Sequence, residues 1–122
     1  MQNAGSYRDL EVWKKSLELV EEIYKLTEQF PKNETYGLSS QMQRAVVAIP
    51  SNIAEGQRRG HPKEFLQFLY ISYGSGAELE TQIEICKRLH KMEGLSYTRS
   101  ESLLDEVMKM LNGLIGSVKA KL

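Results

Sequence analysis

Thiol chemistry in this chain is confined to one cysteine, Cys86. One thiol cannot close an intramolecular disulfide, so packing alone has to hold the fold. Residues 1–9 also lack the basic-then-apolar order of a secretion signal, and the two features together point to a reducing, cytoplasmic setting. Histidine is nearly as scarce, with His61 and His90 only. The best local ligand pair, Cys86 and His90, is four residues apart on one helix and supplies two of the four ligands that zinc takes, so no metal is expected. An excess of one charge is missing too: sixteen Lys+Arg balance sixteen Asp+Glu, for a formal net charge of zero, which removes the global attraction to phosphates that marks a typical nucleic-acid binder. No apolar run approaches the roughly 18 residues that would span a bilayer, so no membrane partner is expected. There is no Gly-x-Ser-x-Gly elbow and no phosphate-cradling glycine loop; Gly74-Ser75-Gly76 resembles one in composition alone. Neither an enzyme nor a cofactor is indicated.

What is present is helical period. With three prolines, 41% hydrophobic and 26% charged residues, the chain is too apolar to be disordered, and 122 residues suit one domain. We expect a flexible N-terminus over residues 1–8 and a single domain over 9–122. Leu10, Trp13, Leu17, Val20, Tyr24 and Thr27 fall three or four apart and predict a first helix from Asp9 to Phe30, ended by Pro31. A second row, Leu19, Ile23, Leu26 and Phe30, widens that apolar face beyond what a lone protomer needs and implies burial on two sides. Leu38, Met42, Ala45, Val46, Ile49 and Ile53 predict a second helix over Leu38–Arg58, with Ser39 or Ser40 as cap and a bend at Pro50. Pro62 suits the first turn of a third helix that runs to about Met92. The small residues of Ser72-Tyr73-Gly74-Ser75-Gly76-Ala77 in its middle either admit a neighbouring helix or leave room for a polar partner. Thr98 or Ser100 can cap a fourth helix carrying Leu104, Val107, Leu111, Leu114 and Val118. Four amphipathic helices on short loops, with no period-two segment, predict an all-α, antiparallel up-and-down four-helix bundle.

Two polar features stand out on these helices. Gln41, Arg44, Ser51/Asn52, Glu55 and Arg58 share one side of the second helix, and Ser75, Glu78 and Gln82 form a shorter row on the third. Should the rows meet, Arg44 could pair with Glu55 or Glu78 across partly buried space; otherwise they are solvated faces. Residues 31–63 hold five cations against two carboxylates, a local surplus of three that gathers near the turn between helices two and three. Cations repeated around a ring of subunits could contact phosphates.

Several stretches carry a family resemblance: Leu10–Lys15, Phe30-Pro31-Lys32, Tyr36-Gly37-Leu38 with Gln41, Arg44-Ala45, Ile49-Pro50-Ser51-Asn52-Ile53-Ala54-Glu55-Gly56, Gly74-Ser75 and Glu78–Gln82. In this order they resemble the four-helix-bundle proteins related to those encoded in intervening sequences of bacterial 23S ribosomal RNA. The resemblance implies an antiparallel four-helix protomer assembling into a homopentameric ring, with no established enzymatic activity. It also implies that Arg44, Asn52, Glu55 and Glu78 form a shared cluster, structural or ligand-contacting. A pentamer would account for the second apolar row of helix one. The expected function is a non-enzymatic, ring-forming interaction protein of the bacterial cytoplasm whose partners are its own copies and a protein or RNA. One alternative is a nucleic-acid-binding accessory similar to the pentameric helpers of retroelements, with Arg58, Arg59, Lys63, Lys87, Arg88 and Lys91 lining one surface. Another is a small-ligand site at the Arg44 cluster. Gln43 and Tyr73 stand where the family often has basic residues, and each removes positive charge.

Overall fold

Packing of the amphipathic faces produces four α-helices among the residues that the computed structural model describes, 6–34 and 37–122. They are α1 (Glu11–Glu28), α2 (Leu38–Arg58), α3 (Pro62–Arg88) and α4 (Thr98–Lys119). No strand occurs among the described residues. A single 3-10 turn, Tyr7–Asp9, precedes α1, inside the segment expected to be flexible; residues 1–5 lie outside the described residues, as do Thr35 and Tyr36 in the loop expected before α2.

The start of α2 and both ends of the α2–α3 turn fall where the sequence places them. Gly60 adopts φ +76°, a left-handed backbone that glycine takes without steric penalty, and so lets α2 turn directly into Pro62. Elsewhere the ends shift. The first helix is two residues shorter than expected at each end, and the third stops at Arg88, with His90–Met92 continuing as a 3-10 turn. The expected serine and threonine caps do not form. Ser39 and Ser100 are buried inside the bundle, neither α2 nor α4 has a side-chain cap, and the Leu38 N–H donates to Glu34 Oε1 at 3.4 Å. α2 runs through Pro50 as one element.

Side-chain pairs fix the topology. Gln43 at the start of α2 donates to Thr27 Oγ1 at the end of α1 (3.0 Å). The Cys86 thiol, late in α3, donates to Met42 Sδ, early in α2 (3.7 Å), and Lys87 pairs with Glu101 at the start of α4 (2.9 Å). Each helix therefore runs antiparallel to its predecessor. α4 closes the square against α1, whereas α1 and α3 are not neighbours.

The core corrects the reading of α1. Leu19, Ile23, Leu26 and Phe30, the row expected to need a second protein surface, are buried inside the chain's own bundle, with Leu19 and Ile23 fully so. It is the other row that stays accessible: Leu17 and Tyr24 are exposed, Trp13 and Val20 half-buried, and Thr27 alone is buried. Both rows are apolar, and which of them faces inward depends on where α2 and α4 sit.

The small residues of α3 serve different ends. A side chain at Gly76 would overlap the Met108 sulfur of α4, so glycine there permits close helix approach. Ser72, fully buried, donates to the Ile49 carbonyl of α2 at 2.9 Å. Gly74 faces open space.

Candidate functional site

The residues expected to form a polar cluster do not converge within one chain. Glu55 holds Arg59 at 2.9 Å, in an i,i+4 pair on α2, instead of reaching Arg44. Asn52 turns its amide back to donate to the Ala48 carbonyl at 2.8 Å. Arg44 and Glu78 are both exposed, and among the described residues neither has a charged partner. Gln82, on the α3 polar row, is buried with its Oε1 accepting no hydrogen bond.

Nor do the six expected phosphate-contacting cations share one surface of the chain. Arg58, Arg59 and Lys63 sit at the α2–α3 turn and Lys87, Arg88 and Lys91 at the far end of α3. At 1.5 Å per residue, about 36 Å of helix separates Lys63 from Lys87. Four of the six are neutralised. Arg59 contacts Glu55 and Glu64, Lys87 contacts Glu101, Arg88 contacts Glu84 at 3.0 Å, and Lys91 contacts Glu34. The hydrogen bond from Lys91 holds the Glu34 carboxyl below its ordinary range, and the hydrogen bond to Glu55 raises Arg59 above its own.

Arg58 is spoken for differently. Its guanidinium lies 5.3 Å from the centre of the Tyr7 ring, and Arg8 lies 5.4 Å from that same ring and 5.7 Å from Trp13. Tyr7 meets Trp13 edge-on at 5.1 Å. This aromatic–arginine group ties the turn before α1 to the end of α2. Sequence reading missed it, because Tyr7 precedes the helical period that gave α1 away.

Cys86 and His90, the best local ligand pair, differ in burial: the thiol is buried and the imidazole exposed. Burial pushes the Cys86 thiol up to about 11, and His90 is exposed and contacts Glu93 at 3.1 Å. Among the described residues, no three His, Cys, Asp or Glu side chains are grouped as a metal would need. Tyr97, buried beside Cys86, is likewise raised, to about 12, mainly by desolvation, and its hydroxyl donates to the Met92 carbonyl at 2.8 Å.

Large apolar side chains are accessible on three of the helices. Between α1 and α2 runs a groove of about 310 Å³, floored by Trp13, Leu17, Val20, Val47 and Pro50 and closed at one end by Tyr7. At Val47 it continues into a second hollow bordered by Tyr24, Ser40, Gln43 and Arg44. On α3, a different set of large apolar side chains, Tyr70, Ile71 and Ile85, is uncovered. The six exposed residues of these two regions, with Leu17, Tyr24 and Val47 from the groove, are each between 38% and 51% accessible. Scattered apolar residues on a surface need no explanation, whereas contiguous ones mark interaction sites. Among the described residues no helix is long and apolar enough to cross a membrane.

Residues 8–113 match the family described as 23S rRNA-intervening sequence protein. No curated protein matches the chain.

Proposed function

Since the chain belongs to the 23S rRNA-intervening sequence protein family, which has no known enzymatic role, we propose that it is a non-enzymatic assembly protein working as a closed ring of copies, a homopentamer, in the cytoplasm. The ring presents its repeated surface to a macromolecular partner. One observation carries this reading: each copy has an uncovered apolar groove between α1 and α2 and, apart from it, three exposed large apolar side chains on α3. Two different patches that fit each other can meet head to tail, and such contacts close into a ring when the rotation per copy divides the circle. The count of five comes from the family resemblance.

Sedimentation velocity with native mass spectrometry on the purified protein tests it. A single assembly of five copies at micromolar concentration is the expected result, and a stable monomer at that concentration overturns the reading.

A second reading, RNA contact by the assembled ring, is favoured by the two cations of the α2–α3 turn that lack a carboxylate partner among the described residues, Arg58 and Lys63, with Arg8 close to the first. Five-fold repetition would gather these cations, though a single copy has too few. Binding to structured RNA that falls steeply between 50 and about 200 mM salt would support it, because each phosphate contact releases counterions; salt-insensitive binding excludes a phosphate-driven mode.

A further inference from the structure

The two uncovered faces also match each other in pattern, and the match identifies which side chains meet. On α3, Ile71, Gly74, Glu78, Thr81 and Ile85 fall at intervals of three, four, three and four residues, and all five are exposed. These positions share one side of α3, with an isoleucine at each end and small or polar residues between. The isoleucines lie seven residues either side of Glu78, and Gly74 meets nothing within 4 Å. On α2, Arg44, Val47, Ser51, Ala54 and Arg58 repeat the same spacing, and the first four of them border the groove or the adjoining hollow, whose other wall is α1. A helix laid into that groove would complete a three-helix seam.

Charge sets the register. The α3 stripe carries one carboxylate, Glu78, at its centre, and among the described residues it has no partner. The α2 stripe is bordered by two guanidiniums. Arg58 is held over Tyr7, while Arg44, beside Val47 where the two hollows meet, is unpaired. Resting on the self-assembly reading above, we propose that α3 of one copy seats in the α1/α2 groove of the next, with Glu78 of the first paired to Arg44 of the second. One of the two isoleucines then lies about 10 Å along the groove from Arg44, at the level of Ser51 and the accessible row of α1, while the other lies about 10 Å the opposite way, at the start of α2, and the ion pair selects this axial position among several that the apolar contacts alone would accept. A polar pair in an apolar helical seam has this effect because every other register strands both charges. The arginine and glutamate that fail to meet inside one chain meet between chains.

The test is a charge-reversal cycle read by sedimentation velocity on the full chain: wild type, Arg44→Glu, Glu78→Arg, and the double variant Arg44→Glu/Glu78→Arg. Both positions are exposed, so the bundle tolerates the changes, and circular dichroism confirms helicity for each. Each single reversal places like charges at every contact and is expected to weaken assembly by tenfold or more. The double variant is expected to return to within about threefold of wild type, as coupled sites do in a cycle. A wild-type assembly indifferent to the single reversals, or a double variant no better than the singles, overturns the pairing while leaving self-assembly intact. A wild-type monomer at tens of micromolar overturns both, and means that the groove accepts something other than a second copy.

Discussion

Gly56 and Gly113 are both helical glycines, yet their surroundings give substitution opposite consequences. At Gly56, buried in α2, an added methyl would sit 2.5 Å from the Phe68 Cβ and 3.2 Å from the Phe65 ring. A Cβ is tied to its backbone and cannot swing aside, so Gly56→Ala must push α2 and α3 apart. We expect a loss of about 1–3 kcal/mol in urea denaturation. At Gly113, on the exposed side of α4, nothing lies within 4 Å, and Gly113→Ala is expected to gain up to about 1 kcal/mol from helix propensity alone. Cys86 makes a different prediction at the same scale. Its thiol is raised from an ordinary 9.0 to about 11 because burial disfavours the thiolate. The folded state thus holds this proton more tightly than the unfolded chain does. The resulting stability is complete below pH 9 and is lost as pH climbs through 11. Urea midpoints measured across that window should fall, and Cys86→Ala should flatten the part of the slope that belongs to the thiol, leaving that of Tyr97.

How much of an element can be read from sequence depends on whether its signal is local. The α2–α3 turn was legible to the residue because Gly60 and Pro62 act through their own backbone geometry. The caps were not: Ser39 and Ser100 are good cap residues in isolation, but the bundle buries them, and a glutamate from the preceding loop supplies the donor's partner at α2. The face of α1 was misread for a related reason. Both of its rows are apolar at helical spacing, and sequence periodicity carries no information about which one the neighbouring helices cover. The residues expected to form a polar cluster do lie on two helix faces, but pairing depends on helix rotation and side-chain reach, which point Glu55 along its own helix to Arg59. A pair of truncations separates the two rows of α1. Leu19→Ala empties a fully buried position and should cost about 2–5 kcal/mol of stability. Leu17→Ala, at an exposed position, should leave the folding of a single copy within about 0.5 kcal/mol of wild type while weakening assembly. Equal effects of the two on denaturation would mean that the rows are not divided between core and contact surface.

For the whole molecule, the proposed assembly would make association and thermal stability one linked quantity. The core closes on itself, with Leu19, Ile23, Met42, Ile53 and Leu111 all fully buried in the single copy. In the proposed ring, partners would add to that stability by mass action, since only the folded copy presents the groove and the α3 residues together. The midpoint of thermal unfolding should therefore rise with protein concentration over the range in which copies associate. Val47→Asp is the variant that isolates this effect. Val47 is exposed and borders both the groove and the hollow beside Arg44, so a carboxylate there leaves the core untouched but competes with the neighbouring copy's Glu78 for Arg44 and puts a charge into the apolar contact of a seated complex, a substantial penalty. The variant is expected to keep wild-type helicity by circular dichroism, to unfold at a midpoint that no longer moves between about 2 and 200 μM, and to match wild type at the dilute end of that range. A wild-type midpoint that is flat over the same hundredfold range would mean that these faces contribute nothing to holding copies together.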